Sequence, residues 1–252
     1  MRLRPLFLYP LETETIVAGN RFSRILLKLS GEGLMSGRDP FGHDKLEAIA
    51  SVIAKVAASG VEIGIVVGAG NLFRARSANL EVMPRVSADN VGMLATIMNA
   101  TVLRDYIRNT GQKAEVLTPG PTPPLTKTFS CDLSLELFES NTVLIFGGGT
   151  GNPYFTTDSA AALRALEISA DVLLKATQVD GVYNKDPHKH SDAVRYDSLA
   201  FSEVIDNRLR VMDLTAVALC EENNLPIEVF DISDPDNLLR IMSGELKGTI
   251  VS

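Results

Sequence analysis

FGGGTGNPYFTTDSAAALRALEI, from Phe146 to Ile168, is the stretch on which the reading of this chain turns. An apolar run ends in a burst of glycines, passes two aromatics and two threonines, and opens into an alanine-rich helix. Glycines between a strand and a helix let backbone N–H groups approach a phosphate closely. The spacing fits neither the dinucleotide pattern G-x-G-x-x-G nor the P-loop pattern G-x-x-x-x-G-K-[ST]. The stretch therefore reads as a phosphate-binding turn of another kind, and its surroundings must say whose phosphate it takes.

Working outward, short apolar runs alternate with helical patterns from Arg24 onward. RILLKLS (24–30), EIGIVV (62–67), AEVLT (114–118), TVLIF (142–146), DVLLKA (171–176) and IEVFD (227–231) read as strands. Helical spacing covers 44–60, where Asp44 can N-cap, Gly60 can terminate, and Leu46, Ile49, Ile53 and Val56 make one face. A second helix, about 89–108, carries Val91, Leu94, Met98 and Val102 along one side, and others are expected near 131–140, 158–169, 211–223 and 235–243. Nearly continuous apolar strands between helices predict an α/β fold: a three-layer αβα sandwich around an open, mainly parallel sheet. The Pro-rich TPGPTPPLTKTF (118–129) reads as an ordered turn, not a linker.

The composition is that of an ordinary globular chain. A net charge of −7 over 252 residues argues against a dedicated nucleic-acid binder, which normally carries a basic face. Cys131 and Cys220 have no metal-ligand spacing and read as buried free thiols of a reducing, cytoplasmic setting. No apolar run approaches the length of a membrane span. Residues 1–23, broken by Pro5, Pro10 and acidic side chains, read as a variable tail and not as a signal, with 24–252 as one domain.

In an open parallel sheet, ligands sit beyond the carboxyl ends of the strands. Those ends here carry LLKLSGEG (26–33), VVGAGNLFRARS (66–77), FGGGTGNPYFTTDS (146–159) and KATQVDGVYNKDP (175–187). Lys28 and Lys175 each interrupt an apolar run near its end, where an unpaired ammonium would be costly. Two lysines converging on one crevice call for a multiply anionic ligand, and a nucleotide polyphosphate supplies one. Asp158 can cap the following helix and can also orient lysines; Asp213, in VMDL, is a weaker case. His188 and His190 lie on a polar loop, and no metal site is assigned to them. With no Ser-His-Asp set and no paired acid/base glutamates, phosphoryl transfer fits best, because it needs positioning and charge neutralisation above all.

Taken together, KLSGE (28–32), GNLFR (70–74), DNVGMLATIMN (89–99), GTGNPYFTTDSAA (149–161), LKATQVDGVYNKDP (174–187) and VMDL (211–214) resemble the amino-acid-kinase superfamily and, within it, the bacterial UMP kinase family. The resemblance implies an enzyme that phosphorylates UMP with Mg²⁺–ATP, its N-terminal part taking UMP and its C-terminal part ATP. It implies that Lys28, Lys175, Asp158 and Asp213 serve catalysis. It implies ATP contacts at Lys28, Leu29, Ser30, Gly31, Gly70, Arg74, Thr177, Tyr183 and Asp186. UMP contacts would fall at Ala69, at Asp89 through ribose hydroxyls, and at Thr150, Gly151, Asn152, Pro153, Tyr154, Phe155, Thr156 and Thr157. It also implies a homohexamer activated by GTP and inhibited by UTP. The competing readings are a superfamily kinase of a small carboxylate or carbamate, and a non-catalytic storage or regulatory relative. The chain departs from the family pattern in Gly68-Ala69-Gly70-Asn71, where three glycines are usual, in Ala75, and in the loop MSGRDPFG (35–42). Ala69 is compatible with backbone contact to a ligand if its φ is negative and strained if it is positive.

Overall fold

The structure is a computed structural model that describes residues 19–74, 79, 81–122, 124–209 and 211–252. Ala75 and most of the expected tail lie outside these residues. In chain order the elements are β1 (Arg24–Leu29), a 3₁₀ turn (Gly31–Leu34), α1 (His43–Ala58), β2 (Glu62–Val67), α2 (Arg85–Asn109), β3 (Ala114–Thr118), β4 (Lys127–Thr128) and α3 (Cys131–Glu139). There follow β5 (Val143–Phe146), α4 (Thr157–Glu167), β6 (Val172–Thr177), β7 (Ser198–Leu199), α5 (Phe201–Asp206), α6 (Leu214–Glu222), β8 (Ile227–Asp231), α7 (Asn237–Ser243) and β9 (Thr249–Val251).

Among the described residues the strands form one nine-stranded sheet in the order β4-β3-β5-β2-β1-β6-β8-β9-β7. All pairings are parallel except that of β8 with β9. β1 lies inside the sheet. The chain first builds outward from it through β2, then returns to its other edge with β6. The β1–β6 junction is thus the point where strand order reverses, and in open sheets that is where a crevice opens beyond the strand ends.

Alternation along the strands sorts side chains into two cores. Ile25, Leu27 and Leu29 of β1, with Val172, Leu174 and Ala176 of β6, join α1, α2 and α7 on one face. Leu26 and Leu173 join α3, α4, α5 and α6 on the other. Period two then puts Lys28 and Lys175 on the second face, the one from which α4 starts. The sheet layer thereby aims both ammoniums at the same helix N-terminus.

The residues named for α1 are buried, but its N-cap is Gly42; Asp44 sits within the first turn, where its charge still complements the helix dipole. Of the apolar stripe on α2, Val102 packs against the core and the other three residues face away from it. Val91, Leu94 and Met98 are exposed, whereas Ala88, Ala95, Thr96, Asn99, Ala100, Leu103 and Ile107 are buried. Small residues let this long helix approach the sheet closely, so the inner face is the less hydrophobic one. Of the two thiols only Cys220 is buried, and burial pushes it up to about 12; Cys131 is exposed at the start of α3. The 118–129 segment is tied by Thr118, whose hydroxyl donates to the Gly120 carbonyl at 2.8 Å and meets Thr126 Oγ1 at 2.7 Å.

Residues 21–23 are bound to the fold. Arg21 donates through Nη1 to Glu228 Oε1 at 3.2 Å, and the Ser23 and Arg24 N–H groups donate to Asp171 at 2.7 and 2.8 Å. Among the described residues no helix is long and apolar enough to cross a membrane.

Candidate active site

A cleft of about 910 Å³ opens beyond the carboxyl ends of β1, β2, β5 and β6. At its floor Lys28 and Lys175 are register partners on β1 and β6. Lys28 Nζ lies 3.0 Å from Asp158 Oδ1, and Lys175 Nζ donates to Oδ2, also at 3.0 Å. The three side chains retain only 12–17% exposure. Burial pushes the Asp158 carboxyl up, but the Lys28 and Lys175 ammoniums beside it outweigh that and hold it below the ordinary 3.8. For Lys175, burial pulls the ammonium below its ordinary 10.5, Asp158 opposes this, and the neighbouring Lys28 adds to it. Lys175 also donates to the Val211 carbonyl. One carboxylate thus balances two cations and leaves a net positive floor, which suits a transferring phosphoryl group.

The capping role read for Asp158 belongs to Thr156. Its hydroxyl accepts from the Asp158 and Ser159 N–H groups at 3.0 and 3.3 Å, so Asp158 sits inside the first turn, free to face the lysines. Asp213 is the N-cap of α6, accepting from the Ala216 N–H at 2.9 Å. Its oxygens also receive the Thr156 hydroxyl and the Ser159 hydroxyl, the latter at 3.0–3.1 Å. Asp213 thereby ties the start of α6 to the start of α4. It bears on Lys175 through its charge and by fixing the segment that contains Val211.

The glycines of the quoted stretch divide by conformation. Gly148, Gly149 and Gly151 have φ of +82°, +58° and +79°, values that favour glycine. Gly147 instead yields to α2, since a Cβ there would lie 3.1 Å from Ile97 Cα. At the ends of the adjacent strands β1 and β2, Gly31 packs into the 68–71 turn so tightly that a Cβ would come within 2.5 Å of Asn71 Oδ1 and 2.6 Å of the Gly70 nitrogen. Ala69 does not take a positive φ, so the alanine in the Gly-Ala-Gly turn is unstrained. The turn is braced by Asn99, which donates to the Gly68 carbonyl at 2.6 Å and to Asn71 Oδ1 at 2.7 Å.

Of the residues expected at the site, Lys28, Ala69, Arg74, Asp89, Thr150, Asn152, Phe155, Thr156, Thr157, Asp158, Lys175 and Asp213 line the cleft together. Arg74 is paired with Glu32 of the 3₁₀ turn. Ser30, Gly31, Gly70, Gly151, Pro153 and Tyr154 belong to the same loops without lining it, whereas Leu29 ends β1 with its side chain in the core on the face opposite Lys28. Thr177, Tyr183 and Asp186 lie apart, on and after the end of β6. Thr177 Oγ1 donates to the Val179 carbonyl at 2.6 Å, the Tyr183 hydroxyl donates to Asp180 at 2.7 Å, and Asp186 accepts from the His188 N–H at 3.0 Å. The Asp180 hydrogen bond raises the Tyr183 hydroxyl, and the His188 N–H lowers the Asp186 carboxyl.

Sequence reasoning missed Arg85 and Arg208, both of which line the cleft. Arg85 stands four residues before Asp89, a helical ion-pair spacing that could have drawn notice. Arg208 follows α5 with φ of +49°, and no local pattern marks it. Among the described residues no group of three His, Cys, Asp or Glu could hold a metal ion. With Asp158 and Asp213 already engaged, the donor set fits a divalent ion carried by a nucleotide's phosphates better than a resident metal in a protein cage.

The model of the amino acid kinase family matches residues 23–231. The chain belongs to the amino acid kinase family. Within this family it is 47% identical over 234 residues to a protein named uridylate kinase from Psychrobacter cryohalolentis, covering 92% of this chain and 97% of that one. The uridylate kinase of Psychrobacter arcticus gives the same values. Among solved structures, the UMP kinase of Bacillus anthracis superposes with a TM-score of 0.87 at 36% identity, covering 92% of this chain and 96% of that one. The UMP kinase of Ureaplasma parvum gives 0.87 and 36%, with 92% and 99% covered. The mostly parallel sheet is thus that of an amino acid kinase fold shared along nearly the whole chain.

Proposed function

We infer that this protein is a UMP kinase, a phosphotransferase that makes UDP and ADP from UMP and ATP. The observation that carries the reading is the lysine pair: Lys28 and Lys175, in register across the β1–β6 junction, share Asp158 at the floor of a cleft in a chain 47% identical to uridylate kinases.

The chemistry asks little of the protein beyond placement and charge. A phosphate oxygen of UMP is already anionic at neutral pH and needs no general base. It attacks the γ-phosphorus of ATP in line; the new O–P bond forms as the bond to the β-bridging oxygen breaks, and ADP leaves. Lys28 and Lys175 neutralise charge on the transferring group, and Asp158 keeps both ammoniums at one place. Mg²⁺ enters as part of the Mg²⁺–ATP substrate and offsets charge on the polyphosphate.

In this reading the N-terminal part of the 24–252 domain takes UMP, at Ala69, Asp89 and Thr150 to Thr157. ATP falls to Lys28, Leu29, Ser30, Gly31, Gly70 and Arg74, with Thr177, Tyr183 and Asp186 toward its nucleoside end. Their position beyond the lysines, along the exit of β6, supports that division. A homohexameric, cytoplasmic enzyme with GTP as activator and UTP as inhibitor completes the proposal. The exposed Leu94 and Met98 on the outer side of α2 favour assembly.

The test offers purified protein Mg²⁺–ATP with UMP, CMP, aspartate, glutamate or carbamate and follows ADP release. UMP-dependent release is expected. Its absence in the presence and absence of GTP, or release with an amino acid or carbamate instead, would overturn the reading.

A further inference from the structure

Arg85, the first residue of α2, has no part in the chemistry above, yet it stands in the wall of the cleft. Its Nε donates to both oxygens of Asp89, at 2.9 and 2.8 Å. Its guanidinium lies 5.5 Å from the centre of the Tyr154 ring, on the glycine-rich turn that follows β5. The Tyr154 N–H donates in turn to Asp89 Oδ2 at 2.8 Å. Asp89 is only 9% exposed, whereas Arg85 is 44% exposed. Two donors from two distant segments thus close on one carboxylate.

Tyr154 has a φ of +72°, a conformation costly for a bulky side chain. Such a backbone persists only where its surroundings hold it. Here the holding contacts are the Asp89 hydrogen bond and the arginine beside the ring. The aspartate side chain rotates easily about its last torsion, so without Arg85 the plane of the carboxylate would be loosely set. With Arg85 in place, the carboxylate is fixed with acceptor capacity left over toward the cleft, since two oxygens offer about four lone-pair directions.

We infer that Arg85 is a positioning residue for the acceptor nucleotide: it fixes Asp89 to receive a ribose hydroxyl and, with Tyr154, locks the turn 149–156 in its binding conformation. This rests on the reading of the cleft as a UMP site. It adds a specificity role to a residue whose helical spacing alone describes a surface ion pair.

The test compares wild type, Arg85→Ala and Arg85→Lys with UMP and with 2′-deoxy-UMP, after wild type has been shown to release ADP with UMP. Failure of that first step would sink the UMP reading and is distinct from failure of the inference. For Arg85→Ala, KM for UMP is expected to rise about 10-fold, the size of one lost charge-assisted hydrogen bond. KM for ATP should hold and kcat should stay within about 2-fold, the pattern of lost uniform binding. Arg85→Lys keeps the charge without the planar donor and should recover only part of the loss. With 2′-deoxy-UMP, which lacks one hydroxyl for Asp89, the rise should shrink to about 3-fold or less. An unchanged KM for UMP, an equal rise with the deoxy substrate, or an equal rise in KM for ATP overturns the inference. Thermal unfolding of each variant near that of wild type keeps the result from being a folding effect.

Discussion

Lys28 and Lys175 are direct register partners on adjacent parallel strands, and each ammonium takes a different oxygen of Asp158. Neighbouring strands place such side chains about 5 Å apart. Two like charges held there, in a site mostly removed from water, repel each other; Asp158 offsets that cost in part, and an anionic ligand above them would offset the rest. That residual charge is what the proposed binding of a phosphoryl group would use.

Replacing either lysine removes a unit of charge from the floor of the cleft and leaves Asp158 one partner. Lys28→Met and Lys175→Met should each lower turnover with UMP by about 10²–10³-fold, the scale seen when one preorganised electrostatic group is lost. Both should stay folded, because methionine fits the apolar stems of the lysines. ADP-release kinetics with a circular dichroism control checks this; near-wild-type turnover in both variants would remove the clamp from the mechanism.

Asp158 gives a pH signature with a definite sign. Its folded-state carboxyl lies below 3.8, so the stability it contributes is present above that value and drains away as the pH falls through the lower folded pKa. Carboxyl-carbon NMR should show its midpoint below 3.8 in wild type and higher in Lys28→Met, which has lost one of the two ammoniums. At neutral pH, Asp158→Asn leaves both cations without their counterion and should destabilise the fold by on the order of 2 kcal/mol in urea titration. That is less than the about 3–5 kcal/mol of a wholly buried broken pair, because these side chains keep some water. A midpoint unmoved by Lys28→Met would mean that the ion pair does not form in solution.

The frame of this site was legible because the lysines are conspicuous: a charge inside RILLKLS or DVLLK must point at something, and period two says to which face. The central strands were legible for the same reason, as apolar runs between turn residues. What was not legible lacked a local pattern. β4, β7 and β9 are two or three residues long, and only their neighbours in the sheet make them strands. No apolar signal marks the inner face of α2, because Ala95, Thr96, Asn99 and Ala100 pack there by being small, while Leu94 and Met98 look outward. Asp158 and Thr156 are both good capping residues two apart, and sequence cannot say which takes the helix end. Asn99 reads as a misplaced polar residue until Gly68 and Asn71 come to meet it.

Gly31 gives a steric test of how the turns after β1 and β2 meet. A methyl group there would press on Asn71, on the Gly70 nitrogen and on the Gly68 carbonyl at once, two of the three being backbone that cannot swing aside. Gly31→Ala should therefore part the β1 turn from the 68–71 turn. Expected are a loss of about 1–3 kcal/mol of stability, as for other overpacked sites, and a rise in KM for ATP larger than that for UMP. Wild-type stability and kinetics in this variant would mean that the two turns do not approach so closely.

Arg21 holds the chain just before β1. Its guanidinium reaches both oxygens of Glu228, at 3.2 and 3.0 Å, and the carbonyl of Ile241, while its backbone N–H bonds the Met242 carbonyl at 2.8 Å. Glu228 is 1% exposed in the middle of β8, on the face covered by α7, and its other hydrogen-bond donor is the Gly248 N–H at 2.9 Å. Arg21→Ala would leave a nearly dry carboxylate with one neutral donor, a cost of about 3 kcal/mol. Glu228→Gln removes the charge but keeps the Gly248 bond and should cost less, about 1–2 kcal/mol. In the double variant the arginine has no charge to neutralise, so the two losses should fall short of additive. Urea unfolding of the four proteins at pH 7 measures the cycle; strict additivity would show that Arg21 and Glu228 do not interact in the folded protein.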